Sequence, residues 1–213
     1  MNDNNKPDLD SAYALKTPED TVRFYDGWAG TYDQEFAAAR GYQTPMVIGD
    51  FFRRVSRPSD TPLLDVGCGT GLLAEALPHH THTQMHGLDI SPKMLEVAKS
   101  KKVYSKLIEG NVVETLPMKD ETYGAILSAG TFTTGHVGPE GLDELLRVAK
   151  PMALFILSVH AGHYERQGFG ARFRELADES VISLPHEEVF DFYKKAEGDH
   201  VRDQGCLVVF RKE

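Results

Sequence analysis

Asp65, the run Gly67-Cys68-Gly69-Thr70-Gly71 and Asp89 are the residues whose types and spacing first suggest chemistry. Closely spaced glycines ahead of a helical segment let the backbone approach a ligand. In the G-x-G-x-x-G arrangement the helix N–H groups then meet a pyrophosphate. Here the third glycine arrives one residue early, and Leu72 stands where the dinucleotide fingerprint requires glycine. A carboxylate just before the loop is also a poor neighbour for a pyrophosphate, because like charges would meet. Asp65 suits a cationic amino group instead. Asp89, about 20 residues past Gly67, stands where an acidic residue can accept two ribose hydroxyls. The three features fit an adenosine that carries an amino acid in place of phosphates.

The elements that must position these residues alternate. "PLLDV" reads as a strand, "LLAEAL" as a helix stopped by Pro78, and "QMHGLDI" as a second strand. Ser91-Pro92 caps and starts the helix "KMLEVAKSKK", whose basic end reads as solvated. "YSKLIEG" and "YGAILSA" are a third and a fourth strand. "GLDELLRVAK" is an amphipathic helix and "ALFILSV" a fifth strand, apolar throughout as for burial on both faces. "EEVFDFYKK" and "CLVVF" make a terminal hairpin across the turn region "AEGDHVRDQG". The predicted fold is α/β, a Rossmann-like, seven-stranded, mostly parallel sheet with an antiparallel terminal strand and helices on both faces. Residues 1–16 read as a disordered lead-in and 17–213 as a single domain. Within that domain 17–57 form an N-terminal helical cover, started by Thr17-Pro18 and again by Thr44-Pro45, and 61–213 form the core. In such a sheet ligands sit outside the carboxyl ends of the strands, where the strand order reverses. The residues at those ends are Asp65 with the glycine loop, Asp89, then Glu109-Gly110-Asn111, then Ser128-Ala129-Gly130.

S-adenosylmethionine is the adenosine-bearing amino acid that fits, and Leu72 disfavours a nicotinamide-dependent oxidoreductase. "LLDVGCGTG", "GLDIS", "EGNVVETLP" and "YGAILSAG", in that order, resemble the motifs of class I S-adenosylmethionine-dependent methyltransferases, over roughly residues 20–160. "FYDGWAGTYD" resembles the lead-in of a subset acting on small molecules. That subset includes the ubiquinone/menaquinone-biosynthesis type and proteins similar to the Williams–Beuren syndrome region methyltransferase-like protein, the neighbourhood favoured here. The resemblance implies that Gly67, Cys68, Gly69 and Thr70 line the methionine part, with Asp65 near its amino group. It implies Asp89 on the ribose hydroxyls, Ile90 packed on the adenine, and Asn111 and Val112 reading the adenine edge. Ser128 and Ala129 would border the methyl-transfer path. Two positions depart from the pattern: Asn111, where many relatives have Asp, and Pro151-Met152-Ala153, where relatives often carry Pro-Gly-Gly.

Tyr25, Trp28 and Tyr32 fall at i, i+3 and i+7, one face of a helix. Such a face covers either a core or a ligand. With the resemblance, the reading is a cover closed over the cofactor, Tyr32 in direct contact, since aromatic faces attract a sulfonium cation. His136 lies after the fourth strand, on the ligand edge, in "AGTFTTGHVGPEG". It is the candidate catalytic residue, able to take a proton from a hydroxyl, amine or thiol acceptor. It is equally readable as a loop histidine that touches substrate without catalysis. His160 and His163 share the edge and read as non-catalytic.

The remaining features are read as bland. His79, His80, His82 and His86 match no standard zinc spacing, and no metal site is expected. Cys68 reads as a small residue fitting a tight loop and Cys206 as core. The 213 residues carry a formal charge of −9, which disfavours a nucleic-acid partner. Two cysteines make no disulfide framework and suit a reducing cytoplasm. The N-terminus lacks the pattern of a secretory signal, and no apolar run is long enough to span a membrane. The expected function is methyl transfer to a small molecule, with an S-adenosylmethionine-binding regulatory protein as the alternative.

Overall fold

Apolar runs bracketed by glycine, proline and aspartate form the strands. In the computed structural model, which describes residues 7–195 and 199–213, β1 (Leu63–Val66), β2 (Met85–Asp89), β3 (Lys106–Glu109), β4 (Tyr123–Phe132) and β5 (Ala149–His160) run parallel. The hairpin of β6 (His186–Asp191) and β7 (Gln204–Arg211) joins through β7, antiparallel to β5. The order is β3-β2-β1-β4-β5-β7-β6. The chain therefore reverses direction across the sheet between β1 and β4, which opens a crevice at their carboxyl ends.

Period-two alternation sorts the buried side chains to two faces. Leu64, Val66, Ile126 and Phe155 pack in one cluster with α6 (Gly141–Val148) and α8 (Phe169–Asp178). Leu63, Ala125, Leu127 and Ile156 pack in another with α3 (Thr44–Val55) and α4 (Leu72–Ala76). A third, aromatic cluster lies above the carboxyl edge. It joins Leu9 and Ala12 to Trp28, Phe36, Phe192 and Tyr193.

The start signals act as expected. The Thr17 hydroxyl accepts from the Asp20 N–H at 3.1 Å and caps α2 (Pro18–Trp28), and the Ser91 hydroxyl accepts from Met94 N–H at 3.1 Å and caps α5 (Pro92–Lys101). Two expectations, on the lead-in and on the basic end of α5, need correction. The lead-in holds a helix, α1 (Leu9–Tyr13), because Asp8 caps it and Leu9 and Ala12 bury against the aromatic cluster; its first six residues lie outside the described residues. Beyond β5 the chain forms α7 (Ala161–Arg166) and α8, whose Phe169, Phe173 and Leu176 are buried at i, i+4 and i+7. The basic end of α5 is not simply solvated, since Lys101 pairs with Asp33 at 2.6 Å and Glu75 at 2.8 Å with 15% of its side chain exposed. The α-helical spacing of the aromatic lead-in ends at Trp28, and a π-helical segment, Tyr32–Ala38, carries it on. In the expected terminal turn, residues 196–198 lie outside the described residues, and Asp199–Arg202 form a 3-10 turn.

Candidate functional site

The carboxyl ends of β1 to β4 open into a cavity of about 360 Å³ roofed by the N-terminal helices. Its floor is the glycine loop. Gly67 has φ of 64°, and a Cβ there would lie 2.0 Å from Thr131 Oγ1, so only glycine fits. That threonine donates to the Val66 carbonyl at 2.7 Å, and the Cys68 N–H donates to Leu88 O at 2.9 Å, which stitches the loop to both neighbouring strands. Cys68 is buried beneath the loop, and burial pushes its thiol well above the usual range, so it is no ready nucleophile.

Asp65 is 0% exposed. Its Oδ2 accepts from Tyr104 Oη at 2.6 Å, and its Oδ1 is buried without a partner at the cavity wall. Burial, reinforced by the charge of Asp89, lifts this carboxyl to about 7. Asp89 is held by two backbone donors, Gly69 N–H to Oδ2 at 2.7 Å and Ser91 N–H to Oδ1 at 2.8 Å; burial lifts it to about 6. Each carboxylate oxygen keeps a further lone pair for a ligand hydroxyl.

Gly67, Cys68, Gly69, Thr70, Ile90, Asn111, Val112 and Ala129 also line the cavity. The Asn111 amide is engaged in its own turn, donating to Glu114 at 2.9 Å and accepting from Val113 N–H at 3.3 Å. Ser128 is the correction in this set: it does not line the cavity. β4 loses regular register after Ser128, and its buried hydroxyl instead donates to Val66 O at 2.9 Å.

Tyr25, Trp28 and Tyr32 line the roof and pack on each other, with Trp28 to Tyr32 ring centroids 5.2 Å apart. The face thus belongs at once to a small core and to the cavity wall. His136 joins them. Its Nδ1 lies 3.0 Å from the Thr134 carbonyl, which can only accept, so Nδ1 carries the proton. Nε2 therefore accepts, from Tyr25 Oη at 3.0 Å. Burial holds His136 below the usual histidine range, hence neutral. His160 has the opposite tautomer, its Nδ1 accepting from Gly162 N–H at 3.1 Å, and His163 donates from Nε2 to Val137 O at 2.9 Å. Neither lines the cavity.

A family model described as a methyltransferase domain matches residues 64–157, the segment holding β1 to β5. Methyltransferase-like protein 27 of Homo sapiens is 34% identical over 151 residues, 70% of this chain and 61% of that protein. The matched segment is a methyltransferase domain of the S-adenosylmethionine-dependent kind. An 18S rRNA (guanine-N(7))-methyltransferase of Bos taurus is 38% identical over 73 residues, 33% of this chain and 26% of that protein. The chain spans no more than 61% of the length of these curated relatives. Among solved structures, a TehB-like SAM-dependent methyltransferase from Corynebacterium glutamicum superimposes with a TM-score of 0.58 at 20% identity, covering 88% of this chain and 99% of that one. The [4+2]-cyclase SpnF superimposes at 0.67 with 14% identity, covering 93% and 97%. At those identities the likeness is one of fold.

In this methyltransferase domain the cofactor implied by the family has a place that fits it. The unpartnered Asp65 Oδ1, taken out of water beside the glycine loop, matches a ligand carrying a cationic amino group. A second aromatic part of the cavity wall went unread in the sequence. Tyr13, Tyr42, Phe192 and Tyr193 line it, and a backbone bridge ties Tyr42 to Tyr193. They come from opposite ends of the chain and share no motif. The one signal for Tyr13 was the apolar spacing of Leu9, Ala12 and Tyr13, at i, i+3 and i+4.

Proposed function

We propose that the protein transfers a methyl group from S-adenosylmethionine to a small, uncharged, largely planar acceptor in the cytoplasm. The observation that carries this reading is one continuous cavity lined by the orphaned Asp65 carboxylate, by aromatic rings and by His136. S-adenosylmethionine, when bound, supplies a methyl group activated on a sulfonium. Asp65 would hold the amino group, Asp89 the ribose hydroxyls, and Ile90, Asn111 and Val112 would border the base. Tyr25, Trp28 and Tyr32 close the roof and exclude water. That holds the acceptor in line and supplies much of the rate effect. Neutral His136 would take up the proton an O–H, N–H or S–H acceptor gives up by relay through the Tyr25 hydroxyl, which donates to its Nε2.

The acceptor class follows from the walls. Asp65, Asp89 and Glu140 face the cavity, and the lysine on its lining, Lys16, is exposed at the rim, so an anionic acceptor gains no buried cation. The tyrosine and phenylalanine rings of the lining suit a flat, apolar molecule. A formal charge of −9 argues against a nucleic-acid acceptor. Two unpaired, buried cysteines support a reducing compartment, and no helix among the described residues is long and apolar enough to cross a membrane.

The test uses labelled S-adenosylmethionine with panels of phenols, aromatic amines and thiophenols, set against ribosomal RNA and carboxylic acids. Trp28, the one tryptophan and 4% exposed on the cavity wall, reports binding by its fluorescence. Label should pass to a neutral aromatic. Label on RNA or a carboxylate alone would reject the acceptor class. Cofactor binding with no transfer to any acceptor would favour a regulatory protein.

A further inference from the structure

The lead-in repeats the dipeptide Tyr-Asp, as Tyr25-Asp26 and Tyr32-Asp33, and each copy splits its two side chains between two tasks. Both tyrosines line the cavity; neither aspartate does. Asp26 Oδ1 accepts from Ser91 Oγ at 2.6 Å and from the Lys93 N–H at 3.2 Å. Asp33 Oδ1 accepts from Thr70 Oγ1 at 2.5 Å, and its Oδ2 pairs with the largely buried Lys101 at 2.6 Å. Ser91 and Thr70 are 0% and 1% exposed.

These two contacts land on the two segments that form the cofactor half of the cavity. Ser91 donates its N–H to Asp89, and Asp89 accepts from Gly69, the neighbour of Thr70. A closed circuit results: Asp26 to Ser91, Asp89 and Gly69, then across Thr70 to Asp33, and back through the roof. A charged acceptor makes each link strong, and four links in one ring restrain one another more than four isolated bonds would.

We infer that Asp26 and Asp33 are positioning residues of the cofactor site, a pair of clasps through which the roof fixes the Gly69–Thr70 backbone and the Asp89 carboxylate in their binding geometry. The inference rests on the reading that S-adenosylmethionine binds beside Asp65 and Asp89. The roof then acts twice in cofactor binding. Its rings close the cavity, and its carboxylates hold the floor beneath. Ligand affinity should fall when a clasp is cut, although no cut group touches the ligand. A roof residue with a merely structural role would lower global stability and leave the loops of the remaining folded protein unchanged.

The test measures S-adenosylhomocysteine binding by calorimetry and hydrogen exchange of residues 67–71 and 89–93 in the empty full-length protein. Asp26→Ala and Asp33→Ala should each raise the dissociation constant about 10-fold and speed exchange in both segments, while exchange in β4 and β5 stays as in the wild type. Asp26→Asn, which keeps an acceptor for Ser91, should restore affinity to within about 3-fold of the wild type. Thr70→Val, which keeps shape and removes the donor, should reproduce Asp33→Ala and serves if that variant does not fold. Wild-type affinity and unchanged loop exchange in these variants would overturn the clasps. Failure of the wild-type protein to bind S-adenosylhomocysteine would instead overturn the functional reading, with the exchange measurement still deciding whether the roof holds the loops.

Discussion

Replacing Asp65 with asparagine should move stability and affinity in opposite directions. Burial lifts the Asp65 carboxyl from its ordinary 3.8 to about 7, so the folded protein holds this proton to higher pH than the unfolded chain does. The group's stabilising contribution is therefore complete below pH 3.8, and it is lost as pH rises through 7. At about 1.4 kcal/mol per unit, keeping the empty site ionised at pH 8.5 costs roughly 4 kcal/mol. Asparagine cannot ionise and can still accept from Tyr104. It leaves a buried amide N–H group facing the cavity, a cost of about 1–3 kcal/mol. Asp65→Asn should thus be about 1–3 kcal/mol more stable than the wild type at pH 8.5 by urea denaturation, and no more stable at pH 4. Its affinity for S-adenosylhomocysteine should fall about 10- to 100-fold, because a charge-assisted bond to the amino group is lost. A variant that is less stable at pH 8.5 and binds as tightly as the wild type would refute both the burial argument and the placement of the amino group.

Two further outcomes are expected. His136→Asn should lower kcat about 100- to 10,000-fold with little change in cofactor affinity. Because burial holds this histidine below its usual 6.5, wild-type kcat should fall only on the acid side of 6.5 and be flat above it; a fall with decreasing pH that sets in above 6.5 would remove this buried, neutral histidine from proton transfer. Met152, 51% exposed with φ of 64°, adopts the left-handed backbone where relatives often carry glycine. Met152→Gly should raise stability by up to about 1 kcal/mol, the relief of strain exceeding the freedom glycine adds to the unfolded chain, and a fall in the urea midpoint would show that the side chain's packing matters more.

The sheet and the placement of the glycine loop and Asp89 at its carboxyl edge were legible in the sequence because their signals are local. Asp65, the glycine loop and Asp89 each follow directly on the strand that aims them. Ser128 misled because it occupies the end of a strand like the others, and nothing in the sequence announced that β4 would lose register there and turn the hydroxyl onto Val66. The helices α7 and α8 were hidden by Gly162, Gly168 and Gly170, which weaken helix propensity. The spacing of Phe169, Phe173 and Leu176 was nonetheless present, and tertiary burial overrode the glycines. Asp26 and Asp33 were visible in the aromatic lead-in, but their partners Ser91 and Thr70 lie 65 and 37 positions away, and no periodicity reports such a pairing.

The two halves of the cavity differ in how far along the chain their parts lie. The part around the glycine loop and Asp89 is assembled from consecutive strand–helix units, so it closes only short loops and can form early in folding. The aromatic wall joins Tyr13 and Tyr42 to Phe192 and Tyr193, and the Tyr13 hydroxyl reaches Asp203 across 190 positions. Ordering that wall must wait until the last strands have docked. The same separation loosens the link between the two halves in descent. Changes near Tyr13 or Tyr193 can reshape the aromatic wall while the glycine loop and Asp89 stay as they are.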